Sequence, residues 1–213
     1  MRALLLIGAL IGGFTTLAQP ADAAGVRVFI RHDVADYATW RKGYDGAGAL
    51  RTKSGVTAQS VYQSTDSVND VTVVHDFKSL EEAKKFGASA DLQAAMAAAG
   101  VKGPPKVWFT QVTPGSSGKP GHVRMFVRHE VADYALWRKS YKAYGASHWQ
   151  AMGVTAQAVY RSADNPNDLV VTHDFKSADE AKAFAASPDL KAAMQTAGVK
   201  GAPDIWITTR ARK

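Results

Sequence analysis

The sequence predicts an α+β protein in which one β-α-β-β-α-β unit is written twice. Three observations lead there. The block Val26–Tyr44 returns as Val123–Tyr141 with few changes, Gly55–Gln59 returns as Gly153–Gln157, and Val73–Ser79 as Val171–Ser177. The repeat is roughly a hundred residues long, the size of a complete small domain and far above the period of a solenoid. Within each copy the patterning alternates between strand and helix in the same order.

Residues 26–32 alternate, with Val26, Val28, Ile30 and His32 on one face and Arg27, Phe29 and Arg31 on the other, which is a strand with two different faces. A helix starts at Asp36 and carries Tyr37, Trp40 and Tyr44 at spacings of three and four, matched by Tyr134, Trp137 and Tyr141; such a stripe faces a core. Two β-rich runs follow, Val56–Tyr62 and Val71–Phe77, joined by the polar turn 64–70, with Asp164–Asp168 as its counterpart. Turn formers between two such runs make a hairpin.

Ser79 to Glu82 and Ser177 to Glu180 read as capping boxes. Ser187-Pro188 is a second helix start close behind, so the later helical stretch divides, its last piece running from about Asp91 to Ala99. Gly100 and Gly198 end these helices, and Pro105 and Pro203 lead into the last strands, Val107–Thr110 and Ile205–Thr208. Residues 113–121, rich in Gly, Pro and Ser, read as a plain linker between repeats at 24–112 and 122–213. The order is that of a ferredoxin-like split unit, with helices on one face of a four-stranded antiparallel sheet. Two such sheets, packed bare face to bare face, bury what each leaves exposed and make a barrel-like core of eight strands. A short linker favours pairing of the two repeats within one chain.

The first 23 residues read as an export signal: Arg2, an apolar stretch from Ala3 to Leu17, and a small-residue cleavage pattern at Ala21–Ala23. That stretch is short for a bilayer span, so a retained anchor is the lesser alternative. The mature protein is expected in the periplasm or secreted, with no integral membrane segment. There is no cysteine, which removes disulfides, thiolate nucleophiles and thiolate metal sites. The net charge of +7 is spread singly among acids, unlike a nucleic-acid arm, and no nucleic-acid partner is expected.

The segments Arg31-His-Asp-Val-Ala-Asp-Tyr-Ala-Thr-Trp40 and Ala88–Val101, the latter with its counterpart Ala186–Val199, resemble the antibiotic-biosynthesis-monooxygenase-like proteins of the dimeric α/β-barrel superfamily. The likeness runs once through each copy. It implies the fold, and a function among cofactor-free oxygenases of small aromatic or phenolic compounds. The residues leave two alternatives beside it: a non-catalytic binding module for a small hydrophobic ligand or haem, or a structural barrel with no pocket. No catalytic constellation carries over residue by residue.

The residues offer two groups of candidates. His32, His75, His129 and His173 end or lie within the first and third strands of the copies; histidine can act as a base near neutral pH or ligate haem, or pack as a structural side chain. In a ferredoxin-like sheet these strands are neighbours, so the two histidines of a copy are expected near one another. The ligand-binding candidates are Arg31, Tyr62 and Trp108 with Arg128, Tyr160 and Trp206, a cationic and aromatic wall or, equally, paired and packed core. If Val26, Val28 and Ile30 pack on the helices, the arginines line the barrel, with Asp76 as a partner, and His32 turns towards the helices. No ligand spacing supports a metal, and no cofactor is required. His148-Trp149 have no likeness in the first copy, where Arg51-Thr52 stand.

Overall fold

The computed structural model describes residues 25–212; the expected export signal at residues 1–23 lies outside them. The first repeat runs β1 (Val26–Val34), α1 (Tyr37–Gly46), α2 (Gly48–Lys53), β2 (Ala58–Ser64), β3 (Asp70–Phe77), α3 (Leu80–Gly87), α4 (Ala90–Ala98) and β4 (Val101–Val112). A two-residue strand, β5 (Ser117–Gly118), precedes the second: β6 (Val123–Val131), α5 (Tyr134–His148), β7 (Ala156–Ser162), β8 (Asp168–Phe175), α6 (Ala178–Ala185), α7 (Pro188–Thr196) and β9 (Val199–Arg210).

The helix starts follow the caps. Asp36 and Asp133 accept from the backbone N–H of Thr39 and Leu136, Ser79 and Ser177 from Glu82 and Glu180, and Ser89 and Ser187 from Leu92 and Leu190. Each satisfies a donor that a helix start leaves without a partner. Gly100 and Gly198 both sit at φ 78° just past a helix. There their carbonyls accept from the N–H groups of Ala35 and Ala132 at 2.9 Å, tying the helix end to the loop after the first strand.

Each repeat pairs its strands in the order fourth-first-third-second. The two four-stranded arrays join at both edges, β2 with β9 and β4 with β7. The eight long strands therefore close into one antiparallel ring, with β5 hydrogen-bonded to β7 outside the circuit. Closure removes the open edges that an isolated sheet would present. No described helix is long and apolar enough to cross a membrane.

Several local expectations shift. The last strands start six residues earlier than the sequence suggests, at Val101 and Val199. β4 follows β1 on both sides of an excursion: Arg31 pairs with Lys106, then Asp33 with Lys102. Pro104 and Pro105 lie inside this bulge, where no ladder donor is required of them. The linker contributes β5, and the helix α2 adds an element with no periodic signal of its own. β2 begins at Ala58 rather than Val56.

Strand alternation divides the side chains between two environments. Inside the ring Phe29, Tyr62, Val74, Phe126, Tyr160, Val170 and Trp206 pack with Trp108 and Ala158. Trp206 stacks on Phe126 and Trp108 at centroid separations of 5.1 and 5.7 Å. The inward arginines are held from both repeats. Arg27 makes a two-pronged pair with Asp76 at 2.6 and 2.7 Å and reaches the Tyr160 hydroxyl of the other repeat at 2.8 Å. Arg124 does the same with Asp174, at 2.6 and 2.8 Å, and the Tyr62 hydroxyl at 2.8 Å. Outside the ring, the aliphatic rows and the aromatic stripes of α1 and α5 form the cores beneath the helices.

Deleting one member of a buried ion pair strands the other charge, which costs about 3–5 kcal/mol. The Asp174 side chain is 2% exposed and that of Asp76 27%. Asp174→Ala should therefore lower the urea-unfolding free energy by about 3 kcal/mol, and Asp76→Ala by clearly less. Equal losses in urea melts of the two variants would count against this account of the clasps.

Candidate functional site

The histidines and the arginine–aromatic group lie on opposite faces of the sheet. Arg31, Arg128, Tyr62, Tyr160, Trp108 and Trp206 all turn into the ring. Arg31 pairs with Asp70 at 2.7 Å and Asp204 at 3.3 Å, and sits over the Trp206 ring at 4.8 Å. Arg128 pairs with Asp168 at 2.8 Å, and the Trp206 indole N–H donates to the Thr72 hydroxyl at 2.9 Å. The arginines, both tyrosine hydroxyls and the Trp206 indole each have a protein partner, and the aromatic rings pack together inside the ring.

His32, His75, His129 and His173 point the other way, under the helices. In the first repeat they border a cavity of about 110 Å³ between the outer face of β1, β3 and β4 and the helices α1, α3 and α4. Its walls are apolar, among them Val28, Ile30, Trp40, Phe86, Leu92 and Phe109. His75 lies opposite Val28 and His32 opposite Val71 in the β1–β3 register, so four residues of strand, about 13 Å, separate the two levels. The two histidines thus serve opposite ends of one cavity rather than forming the close pair expected from neighbouring strands.

Their surroundings differ. The His75 Nε2 lies 3.0 Å from the Tyr44 hydroxyl, which donates to the Gln59 side-chain oxygen at 3.1 Å. His32 is 8% exposed, packs 5.6 Å from the Trp40 ring, and has no hydrogen-bond partner at either ring nitrogen among the described residues. A buried polar group without a partner costs on the order of 1–3 kcal/mol, and one facing a cavity is a place for a ligand atom. Burial lowers the pKa of His32 to about 4, partly offset by Asp33 and Asp70. Burial takes His75 to about 3, with the Arg51 charge adding to the effect. Both rings are neutral at pH 7. Among the described residues no three His, Asp or Glu side chains converge as metal ligands would.

The second repeat keeps the same plan with less space, a cavity of about 50 Å³ bordered by His129 and His173. Trp149 occupies the difference. Its ring lies 5.1 Å from those of His173 and Tyr141, and 6.0 Å from that of Phe184. A Cβ on Gly145 would collide with the indole, so only glycine lets Trp149 seat there. The backbone registers Trp149 with Arg51: the N–H of Val154 bonds to the carbonyl of Trp149 as that of Val56 does to Arg51. His148 stacks on Tyr144 at 4.1 Å, away from this space.

Sequence reasoning missed Tyr44, Gln59 and Arg51. The stripe spacing places Tyr44 in the helix core, yet it also contacts His75; the signal is the joint return of Tyr, Gln and His as Tyr141, Gln157 and His173. Arg51 had no such signal. One more residue separates Tyr141 from Trp149 than Tyr44 from Arg51, so a fixed offset pairs the wrong residues.

Two outcomes follow. Trp149→Ala should cost about 3–5 kcal/mol in chemical denaturation, whereas a surface tryptophan would cost little. The four histidines, with pKa values lowered from 6.5 to about 4 for His32 and His129 and about 3 for His75 and His173, bind protons more readily in the unfolded chain. Folding stability should hold above pH 6.5 and fall as the pH drops from there towards 4, with a slope of about 1.4 kcal/mol per pH unit for each histidine charged only when unfolded. His173→Phe should flatten that slope, and an unchanged slope would show that the ring is not held neutral by burial.

No family model matches the chain, and no curated protein matches its sequence. Solved structures do match in shape. An anthrone oxidase-like protein superposes with a TM-score of 0.66 at 12% identity, covering 89% of this chain and 92% of that one. A candidate chlorite dismutase gives 0.60 at 9% identity, over 88% and 95%. A monooxygenase-like protein from Listeria innocua gives 0.51 at 13%, over 87% and 94%. With the ring topology, these matches show that the chain shares the fold of those proteins, a closed α/β barrel whose two halves are carried in tandem on one chain.

Proposed function

We propose that the protein is an exported, cofactor-independent monooxygenase-like enzyme whose working site is the first-repeat cavity and whose substrate is a small phenolic compound. The observation that carries this reading is His32, whose ring nitrogens are both unpartnered, as those of His129 also are, and which faces the roomier of the two apolar cavities, about 110 Å³ against about 50 Å³. A ring hydroxyl would meet that histidine while the ring itself packs among Trp40, Phe86 and Phe109. A cavity of about 110 Å³ suits a single ring and is small for a porphyrin, which argues against haem as the ligand.

In the proposed reaction the neutral His32 takes the hydroxyl proton as a general base. The imidazolium then sits beside the phenolate, each charge offsetting the other's desolvation. The electron-rich anion passes one electron to dioxygen. The resulting radical and superoxide combine at a ring carbon as a peroxide anion, which takes the proton back from the His32 imidazolium; the hydroperoxide then loses water, together with the hydrogen on that carbon, and leaves a ring carbonyl. The substrate supplies every electron, so no external reductant is needed. His75, held by Tyr44, borders the far end of the cavity. The second repeat, with Trp149 seated against His173, supports the barrel.

Oxygen uptake by chelator-treated protein with simple hydroquinones and phenols tests the reading. His32→Ala should slow uptake about 100-fold or more, the usual worth of a general base, and His129→Ala should leave it within about twofold. Equal rates for the parent and His32→Ala would remove this mechanism.

A further inference from the structure

Resting on that reading, we infer that the substrate is an aromatic acid, and that Arg51 is the residue that selects its carboxylate. Arg51 is 5% exposed on α2 and lines a second space of about 50 Å³ beside the first. The two spaces share Trp40, Tyr44, His75, Phe86, Leu92 and Met96 as walls. The guanidinium carbon lies 3.9 Å from the Tyr44 ring centroid, and Tyr44 in turn contacts His75. Arg51 therefore belongs to the His75 end of the compound cavity.

Its partners are all neutral. Nε donates to the Gln59 side-chain oxygen at 2.5 Å, Nη1 donates to the Tyr44 carbonyl, and among the described residues Nη2 has no acceptor. Asp45, the acid whose charge acts on it, is engaged by Arg41 at 2.9 Å. The two clasp arginines inside the ring each have a carboxylate: Arg27 has Asp76 and Arg124 has Asp174. A buried cation without a counter-charge is costly, and the planar guanidinium is suited to a carboxylate. The second repeat has an indole, Trp149, at this position and no such cation.

The cavity thus offers two polar points in apolar surroundings: a neutral imidazole at the His32 end and an unpaired cation at the Arg51 end. A hydroxyl on one side of a ring and a carboxylate on the other satisfy both. A neutral phenol satisfies only the first.

Isothermal titration of the mature chain with 4-hydroxybenzoate and with 4-hydroxybenzamide tests this, since the two share ring and hydroxyl and differ in charge. The acid should bind at least tenfold more tightly. Arg51→Met should bring the acid down to the amide's affinity and leave the amide unchanged, while Arg51→Lys, which keeps the charge, should retain part of the preference. His32→Gln should weaken both probes alike. Equal binding of acid and amide by the parent, or an equal loss of both in Arg51→Met, overturns the carboxylate assignment and leaves the phenol reading standing. Failure of both probes to bind overturns the two together.

Discussion

The structure depends on two reciprocal clasps, Arg27 with Asp76 and Tyr160, and Arg124 with Asp174 and Tyr62. Each joins a strand pair of one repeat to a tyrosine of the other, inside a ring that neither repeat closes alone. Because side chains alternate along a strand, fixing Arg27 and Arg31 inward places Val28, Ile30 and His32 outward. The same holds for Asp76 and His75 on β3. The clasps therefore decide both what fills the barrel and which residues remain for the space under the helices. That is why the polar groups of the lumen are paired with one another while His32 has no partner.

Duplication leaves the two halves with one scaffold and unequal interiors. In the first repeat Gly46 and Gly48 flank the break between α1 and α2, where glycine weakens a helix by about 1 kcal/mol relative to alanine. The chain turns there and brings Arg51 beside Tyr44. In the second repeat α5 continues to His148, and Trp149 enters from its end to pack on His173. One half thus gains a large aromatic in its core. The other keeps more empty volume and a lone buried cation; a histidine with nothing to bond, His32 or His129, is common to both halves.

Much of the fold was legible because its signals are local. The alternation over Val26–His32, the capping serines and Gly100 each act within a few residues, and the repeat supplied the pairing of halves. The bulge at Pro104-Pro105 was not legible, since only the facing strand shows that those residues can leave and rejoin the ladder. The site was legible in part. The histidines stood out by type, and the link between inward arginines and outward histidines follows from strand period. What placed His32 at the far end of the cavity from His75, however, is the β1–β3 register. What sets Arg51 apart is that the acid near it, Asp45, is engaged by Arg41, a property no linear spacing encodes.

The central claim is that a small ring binds under the helices of the first repeat and not in the barrel. Histidine side-chain nitrogen resonances, followed by NMR as hydroquinone is added to the protein, test it most directly. The account predicts that the His32 nitrogens move on saturation while those of His129 stay in place. Shifts of equal size at both, or changes confined to the tryptophan indole signals of the lumen, would contradict it.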